Sequence, residues 1–462
     1  MFLKGHPEAS GLKIIIVGCG KVGRTLVEQL IKEGHDITII DKKPGMIQQI
    51  TNLYDVMGIA GNGASYSILE EAGIKSADLI ISVTGSDELN LLCCTIATQV
   101  GNCAAIARVR TPDYSKEANY LREKLGLALI INPELEAAKE MARILYLPTS
   151  LEVNAFAHGQ AELIKFQIPD GSSLDGMQIA DLGRKLSTNV LIGAVERGEE
   201  VHIPSGYFTL HSGDTVSFVS TKKAAIEFFK HLGLNTRQVR NTLIIGGGRA
   251  AYYLADQLIK TGISVKIIES DFNRCEELSI LLPKAVIING DGTDKDLLKE
   301  EGIEDVESFV PLTGIDEENI MLTLYAKTVS KAKIITKLNR INFTEVINSL
   351  HLGSVVYPKY ITSEAIIAYV RAKKNSINSN IETLYHMYNS RVEAIEFLIE
   401  EESEITNIPF KDLKLKDNLL ISFINRNGSI IIPSGQDSLQ VGDSVMIITS
   451  HTGLNNLLDI LK

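Results

Sequence analysis

A glycine loop is the first place in this chain where chemistry could be anchored. Gly18, Gly20 and Gly23, with Lys21 and Val22 between the last two, read Gly-Cys-Gly-Lys-Val-Gly. The loop follows the apolar run Lys13 to Val17 and opens a helical pattern from Gly20 to Glu33. That context gives the motif its meaning. The first glycine permits a tight turn, the second lets backbone approach a pyrophosphate, and the third lets helix and strand pack closely. The helix N-terminus then offers N–H groups and partial positive charge to the phosphates. Asp41 closes the next strand pattern, Ile37 to Ile40. A carboxylate there can accept both ribose hydroxyls of an adenosine and repels a 2′-phosphate, which favours NAD(H) over NADP(H). Lys42 and Lys43 soften that discrimination.

A second loop, Gly246-Gly247-Gly248-Arg249-Ala250-Ala251, repeats the pattern with alanine in third place, and Glu269 takes the acidic position. Its ligand is left open between a different adenine nucleotide and none. Gly61-Asn62-Gly63 and Gly290-Asp291-Gly292 are turns first of all. In a dinucleotide-binding fold the same turn lies beside the adenine, which makes Gly61, Asn62 and Asp291 candidates. Thr84-Gly85 and Thr313-Gly314 follow fourth strands, where strand ends face the ligand crevice. Arg108, at the end of a fifth strand, reads equally as a phosphate partner and as a surface arginine. Asp87-Glu88 and Asp316-Glu317-Glu318 read as helix N-terminal charges rather than catalytic acids. His158, His202 and His211 have no metal-ligand spacing, and no GxSxG, HExxH or GxxxxGK[ST] pattern occurs.

The elements that must position these residues come twice. Gly61-Asn62-Gly63 returns 229 residues further on as Gly290-Asp291-Gly292, and Thr84-Gly85, Asn90, Ile203-Pro204-Ser205-Gly206 and Gly213-Asp214 recur unchanged at the same offset. One offset across glycine, proline and polar positions means duplicated domains. In each copy, short β-branched strands alternate with helical stretches, which implies a parallel sheet covered on both faces. Shorter alternating strands follow and suggest a small β-rich lobe. The expected class is α/β: two Rossmann-like, doubly wound parallel sheets, each followed by a β-rich α+β lobe. The expected boundaries are a disordered lead-in at 1–11, a Rossmann domain at 12–132, a crossover helix at 133–150 and a lobe at 151–233. The second copy runs 241–357, 358–380 and 381–462. Both crossover helices open with proline, as a helix start permits, and could reach a neighbouring subunit.

Composition narrows the function. A net charge of −11 fits neither nucleic acid nor an anionic membrane surface. No run approaches the about 20 apolar residues that span a bilayer, and Met1 to Ser10 has no signal-peptide core. Five cysteines without a CxxC pair point to buried thiols in a reducing cytoplasm.

Several of these runs together resemble a known family. They are Lys13 to Gly20, Gly61-Asn62-Gly63, Thr84 to Asn90 and Ala107 to Tyr114. They resemble the RCK (potassium-conductance regulator, or KTN) domain, and the lobe ending in Ile203 to Gly206 and Gly213-Asp214 resembles its companion domain. Two such pairs in one chain are similar to the regulatory proteins of Trk potassium uptake systems. The resemblance implies a peripheral cytoplasmic ring, here a homotetramer, docked on a membrane subunit of the TrkH or TrkG type. It implies NAD(H), or ATP and ADP, in the Rossmann crevices. The contacts it carries over are Gly18, Gly20, Gly23, Asp41, Gly61, Asn62, Thr84 and Arg108, then Gly246, Gly248, Glu269, Asp291 and Thr313. The rival expectation is an NAD-dependent oxidoreductase. No conspicuous catalytic pair accompanies the cofactor loops, so a regulatory subunit without enzyme activity is the leading expectation.

Overall fold

The computed structural model describes residues 11–186, 190–339, 344–374 and 379–462. The lead-in expected at 1–11 lies, Gly11 apart, outside them. The first domain runs β1 (Lys13–Val17), α1 (Lys21–Lys32), β2 (Asp36–Asp41), α2 (Pro44–Thr51), β3 (Met57–Ala60) and α3 (Tyr66–Glu71). It continues with β4 (Leu79–Ser82), α4 (Asp87–Gly101), β5 (Ala104–Arg108), α5 (Pro112–Lys116), α6 (Ala118–Leu125) and β6 (Leu129–Ile131). The strands pair in parallel in the order β3-β2-β1-β4-β5-β6. The order reverses between β1 and β4, and ligands of open α/β sheets bind beyond the strand ends at such a point. Ile14 to Val17 are at most 2% exposed, as strands covered on both faces must be. On α1, Val22, Leu26, Val27 and Leu30 form the buried stripe. Cys93 and Cys94 are buried on α4, and all five cysteines are free and buried.

Helix α7 (Pro133–Tyr146) leads to the first lobe: β7 (Glu152–Phe156), β8 (Ala161–Gln167), α8 (Ile179–Leu186), β9 (Leu191–Arg197), β10 (Glu200–His202), β11 (Thr215–Ser220) and α9 (Lys222–His231). The second Rossmann sheet follows as β12 (Asn241–Ile245), α10 (Arg249–Lys260), β13 (Ser264–Glu269), α11 (Phe272–Leu281), β14 (Val286–Asn289) and α12 (Lys295–Glu300). It ends with β15 (Ser308–Pro311), α13 (Asp316–Val329), β16 (Lys333–Lys337), α14 (Thr344–Ser349) and β17 (Ser354–Val356). Its strand order, β14-β13-β12-β15-β16-β17, matches that of the first. Helix α15 (Pro358–Lys374) precedes the last lobe, β18 (Ser379–Met387), β19 (Val392–Ile399), β20 (Leu419–Arg426), β21 (Ser429–Ile431) and β22 (Ser444–Thr449).

The two lobe sheets are five-stranded and antiparallel, with matching strand orders. The Gly-Asp turns seen in sequence have a definite job in them. Gly213 and Gly442 sit at φ +87 and +91, where a side chain would be strained. Each turn delivers a buried aspartate to an arginine: Arg197 Nε and Nη2 donate to Asp214 at 2.8 and 2.6 Å, and Arg426 repeats this on Asp443 at 2.8 and 2.7 Å. Burial pushes the Asp214 pKa up, but the donors from Arg197 and the His211 N–H outweigh it and leave it below the usual carboxylate value. A depressed folded pKa stabilises above the unfolded value of about 3.9 and is lost as pH falls through the folded pKa. Asp214→Ala should therefore cost about 2–3 kcal/mol at pH 7. The penalty should shrink below about pH 4, as read by urea melts at pH 7 and pH 3.

The chain divides into two compact units. One holds the first Rossmann domain to Pro133 together with Lys359–Lys374, and the other holds Glu134–Pro358 and Asn375–Lys462. Helix α15 therefore belongs with the sheet of the opposite half. Arg371 Nε and Nη2 both donate to Glu33 Oε1 at the end of α1, at 2.9 and 2.6 Å. Helix α7 belongs to the unit of the second sheet. The Val239 N–H, just before β12, donates to Leu145 O at 3.3 Å, and Ser354 Oγ on β17 donates to Leu151 O at 2.7 Å. Helix α15 thus packs with the other half of the same molecule. In the second unit both lobes share one core, with Phe156, Leu163 and Val219 packed among Tyr388, Phe423 and Met446.

Candidate functional site

The first glycine loop is built as its sequence requires. Gly18 has φ +105, and its N–H donates to Ile40 O at 2.8 Å, so the turn folds back on β2. A Cβ on Gly18 would lie 3.0 Å from backbone atoms of Val83 and Thr84. A Cβ on Gly23 would lie 1.9 Å from Gly18 O, so helix and turn touch there. Gly20 caps α1 with no side chain to accept the first amides, and a Cβ on it would meet nothing within 4 Å. That combination, unclaimed helix amides beside open space, fits a phosphate group. Lys21 is exposed at the first helical position. Val22 is buried at 8% exposure, so its side chain belongs to the core.

Asp41 organises the same loop. Its Oδ2 accepts the Cys19 N–H at 2.8 Å and its Oδ1 accepts the Lys43 N–H at 2.9 Å. Each carboxylate oxygen keeps a second acceptor position, which ribose hydroxyls could use. The Cys19 thiol is buried and pushed up to about 12, chiefly by desolvation and then by Asp41, so it is inert. Gly61 is tied to β2 through its N–H on Asp41 O, and Asn62 Oδ1 accepts the Ala64 N–H at 3.3 Å within its own turn. Arg108, half-buried, turns its Nη2 onto Thr84 O, so it braces the loop beside the crevice.

Two residues the sequence did not single out as site residues hold the crevice wall. Asn90, fully buried on α4, accepts from Ser82 Oγ, Thr84 N and Thr84 Oγ1 at 3.0, 2.8 and 2.6 Å, and donates to Arg108 O at 2.8 Å. Asp87 accepts the Arg110 N–H at 2.8 Å and both the Thr111 N–H and hydroxyl at 2.7 Å. Burial opposes the charge of Asp87, yet these donors bring its pKa below the ordinary value. The only hint in sequence was the recurrence of Asn90 and Asp87 in the second copy.

The second crevice has the same frame. Gly246 has φ +93 and donates to Ile268 O, and Gly248 caps α10 with open space at its Cβ position. Glu269 accepts the Gly247 and Asp271 N–H groups at 2.6 and 2.7 Å. Thr313 N and Oγ1 each donate to Asn319 Oδ1 at 2.9 Å. Asp291 Oδ1 accepts from the Thr293 N–H at 2.9 Å and hydroxyl at 2.8 Å, a local turn like that of Asn62. Lys337 stands in the place of Arg108 and donates to Leu312 O at 2.9 Å. Among the described residues no group of three or more His, Cys, Asp or Glu side chains could hold a metal ion. No helix there is long and apolar enough to cross a membrane.

Both halves match the same pair of family descriptions. The TrkA-N domain covers residues 14–133 and 242–358, and the TrkA-C domain covers 163–233 and 394–462. A Trk system potassium uptake protein TrkA homolog of Archaeoglobus fulgidus is 31% identical over 98% of this chain and 100% of its own length. The chain belongs to the TrkA family. Within that family, Trk system potassium uptake protein TrkA of Haemophilus influenzae is 30% identical over 95% of this chain and 96% of its own. Among solved structures, the fold of this TrkA-family chain is similar to that of the GsuK RCK domain. That similarity has a TM-score of 0.64 at 17% identity and covers 96% of this chain and 95% of that one. The GsuK channel bound to NAD gives 0.63 at 18% identity, covering 96% of this chain and 78% of that one. These likenesses bear out the doubly wound sheets and the β-rich lobes.

Proposed function

We propose that this TrkA-family chain is the nucleotide-responsive regulatory subunit of a Trk-type potassium uptake system. The observation that carries the reading is the first crevice. An uncapped helix N-terminus and the open face of Gly20 stand ready for a pyrophosphate, and Asp41 stands where an adenosine ribose would lie. Gly18, Gly20, Lys21, the Val22 N–H, Gly23, Asp41, Gly61, Asn62, Thr84 and Arg108 form the first binding surface. Gly246, Gly248, Glu269, Asp291 and Thr313 form the second. The ligand class is NAD(H), with ATP and ADP as competitors. Its support is the family membership and a fold shared with a channel solved with NAD.

The subunit acts at the inner face of the cell membrane, held there by a potassium-translocating partner of the TrkH or TrkG type. Four chains close a ring of eight Rossmann units. Nucleotides shift that ring between states by their differential affinity, and couplings of about 1–3 kcal/mol suffice for regulation. The oxidoreductase alternative is not favoured, because relatives matched over nearly their full length are named for potassium uptake.

Calorimetric titration with NADH is the test, on the unaltered chain and on Asp41→Ala. Losing both ribose acceptors should weaken NADH at the first crevice about tenfold or more. Saturable binding that Asp41→Ala leaves unchanged would remove the first crevice from the reading.

A further inference from the structure

The two crevices are not equivalent in charge, and the difference sorts their ligands. Helices α1 and α10 begin with Lys21 and Arg249 and have no acid in the first turn. Helices α4 and α13, at the neighbouring strand ends, begin with acids: Asp87 and Glu88, then Asp316, Glu317 and Glu318. A cation at the positive end of a helix is unfavourable by itself. An anion seated between the cation and the amides reverses the sign. Both glycine helices are therefore arranged for an anionic ligand, in contrast to their neighbours.

The cations differ in kind. Lys21 is a point charge, whereas Arg249 is a planar fork that matches phosphate oxygens two at a time. Both are exposed, and neither side chain has a partner among the described residues. The second glycine loop also has a guanidinium against it that the first loop lacks. Arg274 Nε donates to Gly247 O at 2.7 Å and its Nη1 to Glu277 Oε2 at 2.6 Å, which fixes the group against the glycine loop and leaves Nη2 unclaimed among the described residues. The corresponding residue of the first half is Met46, and the nearby Arg24 is turned to Gln49 Oε1 at 3.2 Å.

We propose that the second crevice selects an adenine nucleotide with a free terminal phosphate over a dinucleotide, through Arg249 and Arg274. This rests on the nucleotide-binding reading above. A terminal phosphate carries close to two negative charges and three acceptor oxygens. Each phosphate of a dinucleotide is esterified on one side and bridged to the other phosphate on the second, which leaves it one charge and two free oxygens. Two guanidinium groups beside the α10 glycine loop suit the former; beside the α1 loop Lys21 suffices for the latter, since Arg108 turns its Nη2 onto Thr84 O. The second crevice is thus the ADP and ATP site, and the first is the NAD(H) site.

The test is calorimetry on the full-length chain in an Asp41→Ala background, with ADP and NADH as separate titrants, before and after adding Arg249→Lys and Arg274→Met. ADP should bind this background at one site per chain, about tenfold or more tighter than NADH. The added pair should weaken ADP about tenfold and NADH less than about threefold, with the melting temperature unchanged. Equal affinity for ADP and NADH in the Asp41→Ala background would overturn the inference, and so would equal weakening of both by the arginine replacements. Either result would leave nucleotide regulation standing. Binding of neither titrant to the unaltered chain would overturn both.

Discussion

Gly20→Val should leave the first Rossmann domain folded and nearly as stable as before, and should abolish its nucleotide binding. The backbone there has φ −70 and ψ −167, which any residue adopts, and a Cβ would meet no atom within 4 Å. The stability cost is at most about 1 kcal/mol, that of a poorer helix cap. The branched side chain would fill the space that a phosphate needs against the α1 amides, so NADH affinity should fall about a hundredfold or more. Gly23→Val should behave differently. Its Cβ would lie 1.9 Å from Gly18 O, a backbone atom that cannot rotate away. Helix and turn must separate, at about 3 kcal/mol or more, and both the melting temperature and NADH binding should drop. A thermal melt and one titration on each variant separate the two cases. Retained NADH affinity in Gly20→Val would mean that the phosphates lie elsewhere.

Asn90→Leu should be among the most destabilising single changes in the first unit, by about 2–4 kcal/mol. Leucine fills a similar volume but leaves the Thr84 N–H, the Ser82 hydroxyl and Arg108 O without the partner they share. The chain has two compact units, so a melting midpoint registers a loss but is not the observable that locates it. Hydrogen exchange read segment by segment is the right one. Amides of β4 and β5 should lose protection while those of β15 and β16 keep theirs. Asn319→Leu should give the reverse pattern, because Asn319 repeats the same bonds to Thr313 and Lys337. Uniform loss across both sheets would show that the units do not unfold separately.

Much of this was legible from residue types at short range. The β-branched runs, the glycine loops and Asp41 each carry their own periodicity or spacing. The duplication repeated each of those signals, with alanine for the third glycine and Glu269 for Asp41. What sequence did not disclose depends on partners far apart along the chain. Asn90 looks like any polar residue in a helix until residues 82, 84 and 108 are brought around it. Asp87 reads as a helix-end charge, and it is one, but its carboxylate also clamps residues 110 and 111. The proline that starts α15 announces a helix and says nothing about which sheet will receive it. Arg371 meets Glu33 only because the fold sends that helix back.

That return has a consequence for the chain as a single thread. The backbone passes from the first unit to the second after Pro133, back at Lys359 and out again after Lys374. The two units are thus sewn together by three covalent crossings where an ordinary two-domain protein has one. A single cut at any crossing would leave them joined. Neither half of the duplication could be lifted out as a free-standing module, because each would leave its own crossover helix behind in the other.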